Sequence, residues 1–261
     1  MHAPATPAII EPDLLMLAYR SGIFPMADHR DDPEVFWVEP RQRAILPLDG
    51  FHLSKSLART LRRERFRVTC NADFAAVMDE CAAPRNDGSG ESWISRRIAA
   101  SYLALHRLGH AHSIECWQDD RLVGGLYGVG FDRAFCGESM FSRVPDASKV
   151  ALAWLVAALR AGGVELLDCQ FITGHLASLG AVEISQARYV SLLRKAQRPY
   201  SPLSSTAALA LGDGAADAAG AGRGAAVPLA LPEAFAALLA DAAGASSSPG
   251  NFIAQSLTQT S

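Results

Sequence analysis

A chain of 261 residues with 49% hydrophobic side chains can bury a real core, as one large domain or two small ones. Its formal net charge of −3 gives no general attraction to nucleic acid, and five cysteines without a C-x-x-C pair fit a reducing compartment better than a disulfide framework. No secretory pattern opens the chain and no run of about 18 apolar residues occurs, so a soluble cytoplasmic protein without a membrane partner is expected.

Residues 1–10 read as frayed. Asp13 to Arg20 reads as a short helix, with Pro12 near its start and Gly22 just past its end. Short strands are expected at 36–38 and 44–46. Together these segments suggest a small α/β subdomain over residues 1–53. Ser54 can cap a helix to about Arg65, with Leu57 and Leu61 on one face. The rest of that helix is basic: Lys55, Arg59, Arg62, Arg63 and Arg65 stand against the single acid Glu64. Such a run is a solvated face or an electrostatic footprint for a phosphate backbone.

A strand over 66–70 follows, then a helix capped by Asn71 with Phe74, Val77, Met78 and Cys81 at helical spacing. A Pro/Gly/Asn/Ser-rich loop covers 83–91. Trp93-Ile94 leads into a helix ending at Leu108-Gly109. Three runs, 111–117, 122–129 and 134–141, read as an antiparallel meander. Asp146 can cap a helix over 147–160. The next strand, 164–170, is reached through that helical crossover and is expected parallel to its predecessor. A short helix at 173–179, a short strand at 182–184 and a helix from Ser185 to Lys195 complete a domain over 54–198. Beyond Pro199 the composition shifts. Residues 204–226 are almost wholly Ala, Gly and Ser, and 244–261 is polar, so both read as disordered. Between them 232–243 allows one short helix, marginal alone.

Two apolar strands carry polar interruptions. Glu138 lies between Phe135 and Phe141, and Asp168 and Gln170 sit two apart after Leu166-Leu167, which puts them on one face. A buried carboxylate is costly unless hydrogen-bonded or paired, so each is a structural brace or a group aimed at a ligand.

The element order gives α+β with a mixed sheet, the layout of the GNAT-like acyl-CoA N-acyltransferase fold. The pyrophosphate loop usual in that fold does not open the helix at Ala147, which argues against ordinary coenzyme A use. The motifs Tyr19-Arg-Ser-Gly-Ile-Phe-Pro-Met26, Trp93-Ile94, Gly109-His-Ala-His-Ser-Ile-Glu115, Leu122-Val-Gly-Gly-Leu-Tyr-Gly128, Cys136-Gly-Glu-Ser-Met-Phe-Ser142, Ala147-Ser-Lys149, Asp168-Cys-Gln170 and His175-Leu-Ala-Ser-Leu-Gly-Ala181 occur in order. Together they resemble the leucyl/phenylalanyl-tRNA–protein transferase family, from about Leu14 to Leu193.

That resemblance implies transfer of Leu, Phe or Met from aminoacyl-tRNA to the α-amino group of proteins beginning with Arg or Lys, which tags them for N-end rule degradation. It implies a monomer and no metal or coenzyme. It assigns Gln170, Asp168 and Glu138 to catalysis, and Leu126, Met140, Leu155, Leu159 and Leu167 to the aminoacyl pocket. Trp93 would stack on the tRNA 3′ adenosine, and Lys55, Arg59, Arg62 and Arg63 would meet tRNA phosphates. A second family aromatic after Ile-Phe-Pro is Met26 here. His112 and His175, lacking clustered Cys or Asp, read as structural.

Overall fold

The computed structural model describes residues 9–84, 92–198 and 229–258. The tract 204–226 and most of the 83–91 loop lie outside them. The N-terminal helix α1 is Pro12–Arg20, followed by strands β1 (Phe24–Met26) and β2 (Phe36–Val38), which pair antiparallel as a separate hairpin. Ile10, expected to be frayed, is buried instead, and its N–H donates to the Ser101 hydroxyl over 2.9 Å.

The large sheet has the order β4-β5-β6-β7-β8-β3-β9. Its strands are β3 (Gln42–Ile45), β4 (Arg67–Cys70), β5 (Ala111–Gln118), β6 (Arg121–Phe131), β7 (Ala134–Ser142), β8 (Leu166–Gln170) and β9 (Val182–Ser185). The protein is mixed α+β with a mixed sheet. Strands β5, β6 and β7 form the antiparallel meander, and β8 runs parallel to β7. One expectation needs correcting. Strand β3, read as part of a subdomain over 1–53, lies inside the large sheet between β8 and β9.

Successive strand residues point to opposite faces, so the sheet carries two cores. One holds Phe135 and Leu167 against α2 (Lys55–Arg62) and α5 (Ala147–Ala161). The other holds Ala134, Cys136 and Leu166 against α1, α3 (Phe74–Ala82), α4 (Arg96–Arg107) and α7 (Gln186–Ala196). A short helix α6 (Gly174–Ser178) joins β8 to β9.

Ser54 caps α2 as expected, accepting the Leu57 N–H at 3.2 Å. Asn71 does not cap α3. It takes a left-handed turn (φ 58°) and accepts the Ser113 N–H at 2.9 Å, leaving the cap to Asp73. Asp146 precedes α5 but makes no side-chain cap, its carboxylate meeting Lys149 instead.

The C-terminal segment differs most from expectation. Residues 231–244 and 249–256 form α8 and α9, both packed on the first core. Helix α5 requires this, because 12 of its 15 residues are buried and the sheet covers only one side. A helix apolar all round must be covered all round. Phe235 of α8 lies against Trp154 with ring centroids 5.1 Å apart. Ser248 caps α9, and Ile253, Ala254 and Leu257 face the core at helical spacing, inside a stretch whose polar average reads as disordered.

Candidate active site

Strands β7 and β8 pair only through Ala134–Leu166, Phe135–Leu167 and Cys136–Asp168, and then they part. Beyond that point Gln170 of β8 is opposite Ala44 of β3, while β7 stays with β6. A cleft of about 480 Å³ opens in the gap, at the carboxyl ends of the parallel pair. That is where ligands of open α/β sheets bind.

Glu138 stands at this gap because β7 bulges there. Tyr127 pairs with Ser139 and Gly128 with Gly137, so Glu138 is the extra residue. Glycine is needed at 128, where a Cβ would fall 2.3 Å from the Cys136 carbonyl oxygen. The bulge reverses the alternation of the strand. Cys136 and Phe141 face one core, while Phe135 and Met140 face the other. Glu138 Oε2 accepts the Tyr102 hydroxyl at 3.1 Å and the Gln170 Nε2 amide at 2.8 Å. Tyr102 also hydrogen-bonds Tyr19. Glu138 lines the cleft, and its Oε1 is buried and accepts no hydrogen bond from the described residues. Burial pushes this carboxyl from its ordinary 4.5 to about 7, with nearby Tyr19, Gln170 and Tyr102 holding it back from rising further.

Gln170 has φ 61°, a left-handed conformation that costs a non-glycine residue about 1–3 kcal/mol. The Phe171 N–H closes the turn onto the Cys169 carbonyl at 2.7 Å, and the Gln170 N–H donates to Asp168 Oδ1 at 2.8 Å. Its side chain lies across the gap against Glu138.

Asp168 shares that face, as the i, i+2 spacing requires, but it does not line the cleft. It is fully buried. Arg43 donates to it through Nε at 2.9 Å and Nη2 at 2.5 Å, and the Tyr189 hydroxyl donates at 2.9 Å. The Arg43 guanidinium is sandwiched between the rings of Phe24 (4.7 Å) and Tyr189 (4.4 Å). Burial alone would lower its pKa, but the Asp168 charge outweighs this and raises it. Sequence reasoning missed Arg43. The signal was the rule that brought Asp168 to notice, since a buried carboxylate needs a partner.

Of the expected aminoacyl-pocket residues, Leu126, Met140, Leu155 and Leu167 line the cleft together with Leu152 and Leu176. Leu159 does not. One turn further along α5 than Leu155, it is wholly enclosed in the first core. Trp93 is half-buried on the cleft wall, as is His175, whose pKa is lowered by burial and by Lys149. Phe171, which no sequence signal marked, is 44% exposed at the rim and rests edge-on against Phe24.

Lys55, Arg59, Arg62 and Arg63 are exposed on α2, and none lines the cleft. They border a separate shallow hollow with Leu53, Ala58 and Thr258. Among the described residues none of the four makes an ion pair. His112 is buried against Asn71, with its pKa pushed down to about 4 by burial. Among the described residues no group of three or more His, Cys, Asp or Glu could hold a metal ion. No helix among them is long and apolar enough to cross a membrane.

Residues 45–194 match the family model described as leucyl/phenylalanyl-tRNA protein transferase, and residues 9–41 match the model of its N-terminal domain. A leucyl/phenylalanyl-tRNA–protein transferase of Novosphingobium aromaticivorans is 70% identical over 260 residues, covering 98% of both chains. The chain belongs to the leucyl/phenylalanyl-tRNA–protein transferase family. It is accordingly a transferase. Relatives of the same name from Zymomonas mobilis and Rhizorhabdus wittichii are 60% and 62% identical, covering 74% and 70% of this chain and 71% and 74% of their own. The likeness to the Novosphingobium transferase takes in the segment that folds as α8 and α9. A conserved protein of unknown function from Staphylococcus epidermidis has a similar structure at 13% identity and a TM-score of 0.37, covering 70% of this chain and 67% of its own.

Proposed function

We propose that this transferase moves Leu, Phe or Met from aminoacyl-tRNA onto the α-amino group of proteins beginning with Arg or Lys, marking them for N-end rule degradation in the cytoplasm. The observation that carries this reading is the cleft itself. It is an apolar pocket whose open side meets one buried, half-satisfied carboxylate and one amide. The sheet order, with the parting of β7 from β8, supports placing the domain in the GNAT-like fold.

In this reading Leu126, Met140, Leu155 and Leu167 take the aminoacyl side chain. Flexible apolar walls unbranched at Cβ suit Leu, Phe and Met. Ile and Val lose about 1–3 kcal/mol per misfit group. Glu138 Oε1 holds the aminoacyl α-ammonium. Gln170 accepts an N–H of the incoming amine and orients its lone pair toward the ester carbonyl. An α-amine has a pKa of about 7.7–8, so a fair fraction is nucleophilic without a strong base. The amine nitrogen bonds to the carbonyl carbon, the ester C–O bond breaks, and the amine proton leaves with the 3′ oxygen of the tRNA. Trp93 stacks on the 3′ adenine, worth about 1–3 kcal/mol. The exposed cations of α2 meet the tRNA backbone as a monomer binds it, without reading base sequence.

The deciding experiment is transfer of labelled Leu from Leu-tRNA to two peptides, one beginning with Arg and one with Ala. Label in the Arg peptide alone is the expected result. No label, with acetyl-coenzyme A consumed instead, overturns the reading in favour of ordinary acyl transfer. Replacing Lys55, Arg59, Arg62 and Arg63 with Ala together should flatten the salt dependence of tRNA binding, by roughly 0.7–0.9 in log–log slope for each phosphate no longer neutralised. An unchanged slope would remove α2 from the tRNA interface.

A further inference from the structure

Asp168 has no capacity left for a substrate. A carboxylate offers about four lone-pair sites. Here Oδ1 takes Arg43 Nε and the Gln170 N–H, and Oδ2 takes Arg43 Nη2 and the Tyr189 hydroxyl. Arg43 is itself fixed by the Gly22 carbonyl, 3.1 Å from Nη1, and by its two flanking rings. From β7 the Cys136 thiol and the Glu138 carboxyl both feel Asp168; burial and the Asp168 charge push both pKa values up, and the thiol stays protonated. Only one of the hydrogen bonds of Asp168 points toward the cleft, and it goes to the backbone N–H of the residue held in a left-handed turn.

We propose that Arg43 and Tyr189 are positioning residues for the transfer reaction. By filling Asp168, they make it a backbone anchor that keeps Gln170 in its strained turn, rather than a group that exchanges a proton with substrate. The anchor acts along a defined route. Arg43 and Tyr189 orient the carboxylate, the carboxylate takes the Gln170 N–H, and the turn projects the Gln170 amide. With Nε2 committed to Glu138 at 2.8 Å, the side-chain oxygen of Gln170 is the atom presented to an amine. Breaking the route leaves the pocket walls and Trp93 in place but lets the Gln170 oxygen wander. The cost therefore falls on the chemical step and not on tRNA binding.

This inference rests on the proposed reaction only for its kinetic arm. Arg43→Lys keeps the charge and removes the two-pronged fork, and Tyr189→Phe removes one donor while keeping the ring on the guanidinium. Both are compared with the wild type by kcat and KM for Leu-tRNA across pH, and by hydrogen exchange of the Gln170 backbone amide. Arg43→Lys should lower kcat on the order of 10–100-fold, the size expected when a reacting group is displaced by an ångström. Its KM for Leu-tRNA should not move, its pH midpoint should move only upward as Glu138 loses the Gln170 donor, and Gln170 amide exchange should speed up. Tyr189→Phe should act in the same direction with a smaller effect. An unchanged kcat, or a loss carried by KM for Leu-tRNA instead, would overturn the proposal, as would an unchanged Gln170 exchange rate. If Arg43→Lys fails to fold, Tyr189→Phe decides by the same readouts. Should the wild type transfer no Leu, the proposed reaction falls, while amide exchange still decides whether Arg43 and Tyr189 anchor Gln170.

Discussion

The two strands that part at the cleft each carry one buried acid beside an irregularity of the sheet, and they treat it in opposite ways. On β8, Asp168 is saturated by Arg43, Tyr189 and a backbone N–H, and it does not reach the cleft. On β7, which lines the cleft through Glu138, that carboxylate is bonded on one oxygen, and its other oxygen is buried without a donor among the described residues. Burial is nearly the same for both. Partner number is what differs, and it divides a saturated carboxylate from one with an oxygen unpartnered among the described residues. Low local dielectric makes a satisfied network stiff and an unsatisfied oxygen expensive, so a cation entering beside Glu138 gains more than it would in water.

The comparison breaks most easily on the β8 side. Arg43→Met leaves the Asp168 carboxylate buried without its fork and should cost about 3–5 kcal/mol in urea unfolding. Adding Asp168→Leu should recover much of that stability, because the uncompensated charge is then gone. A single-variant cost near zero would mean that Asp168 is no more constrained than Glu138.

Glu138→Gln tests the other strand. The folded protein holds a proton on Glu138 up to about pH 7, whereas the unfolded chain releases it near 4.5. Wild-type stability therefore falls as pH rises through that window, at up to about 1.4 kcal/mol per pH unit, and is level above it. The variant lacks this fall, so its stability relative to the wild type should climb from pH 5 to pH 8. A constant difference would show that Glu138 is satisfied after all. Tyr102→Phe should have the smallest effect, about 1 kcal/mol for the one hydrogen bond removed. It should also move the Glu138 midpoint upward, since a donor to the charged form is gone, and carboxylate titration by NMR reads that directly.

Much of the fold was legible locally. Ser54 and Ser185 marked helix starts, and the crossover placed β8 parallel to β7. Strand β3 was legible as a strand but not as an interior one. Four residues carry no signal for which distant edges they will join. Asn71 has the chemistry of both a cap and a left-handed turn, and the Ser113 N–H opposite it decided between them. Helix α9 was hidden because composition averages over the few apolar residues that face the core. Leu155 and Leu159 look alike in sequence, yet one turn of helix separates a cleft wall from the interior.

The sequence by itself determined the residue types of the site. Two acids and an amide interrupting apolar strands, an apolar set around them and one tryptophan could be named without coordinates, because burial rules act on each residue in turn. Only the tertiary structure decided which acid is saturated and which keeps an oxygen unpartnered among the described residues. Arg43 lies 125 residues before Asp168 and Tyr102 lies 36 before Glu138. Hydrogen bonds between side chains so far apart follow no helical or strand period, so the division between an anchored carboxylate and an open one exists only after the strands have paired and parted.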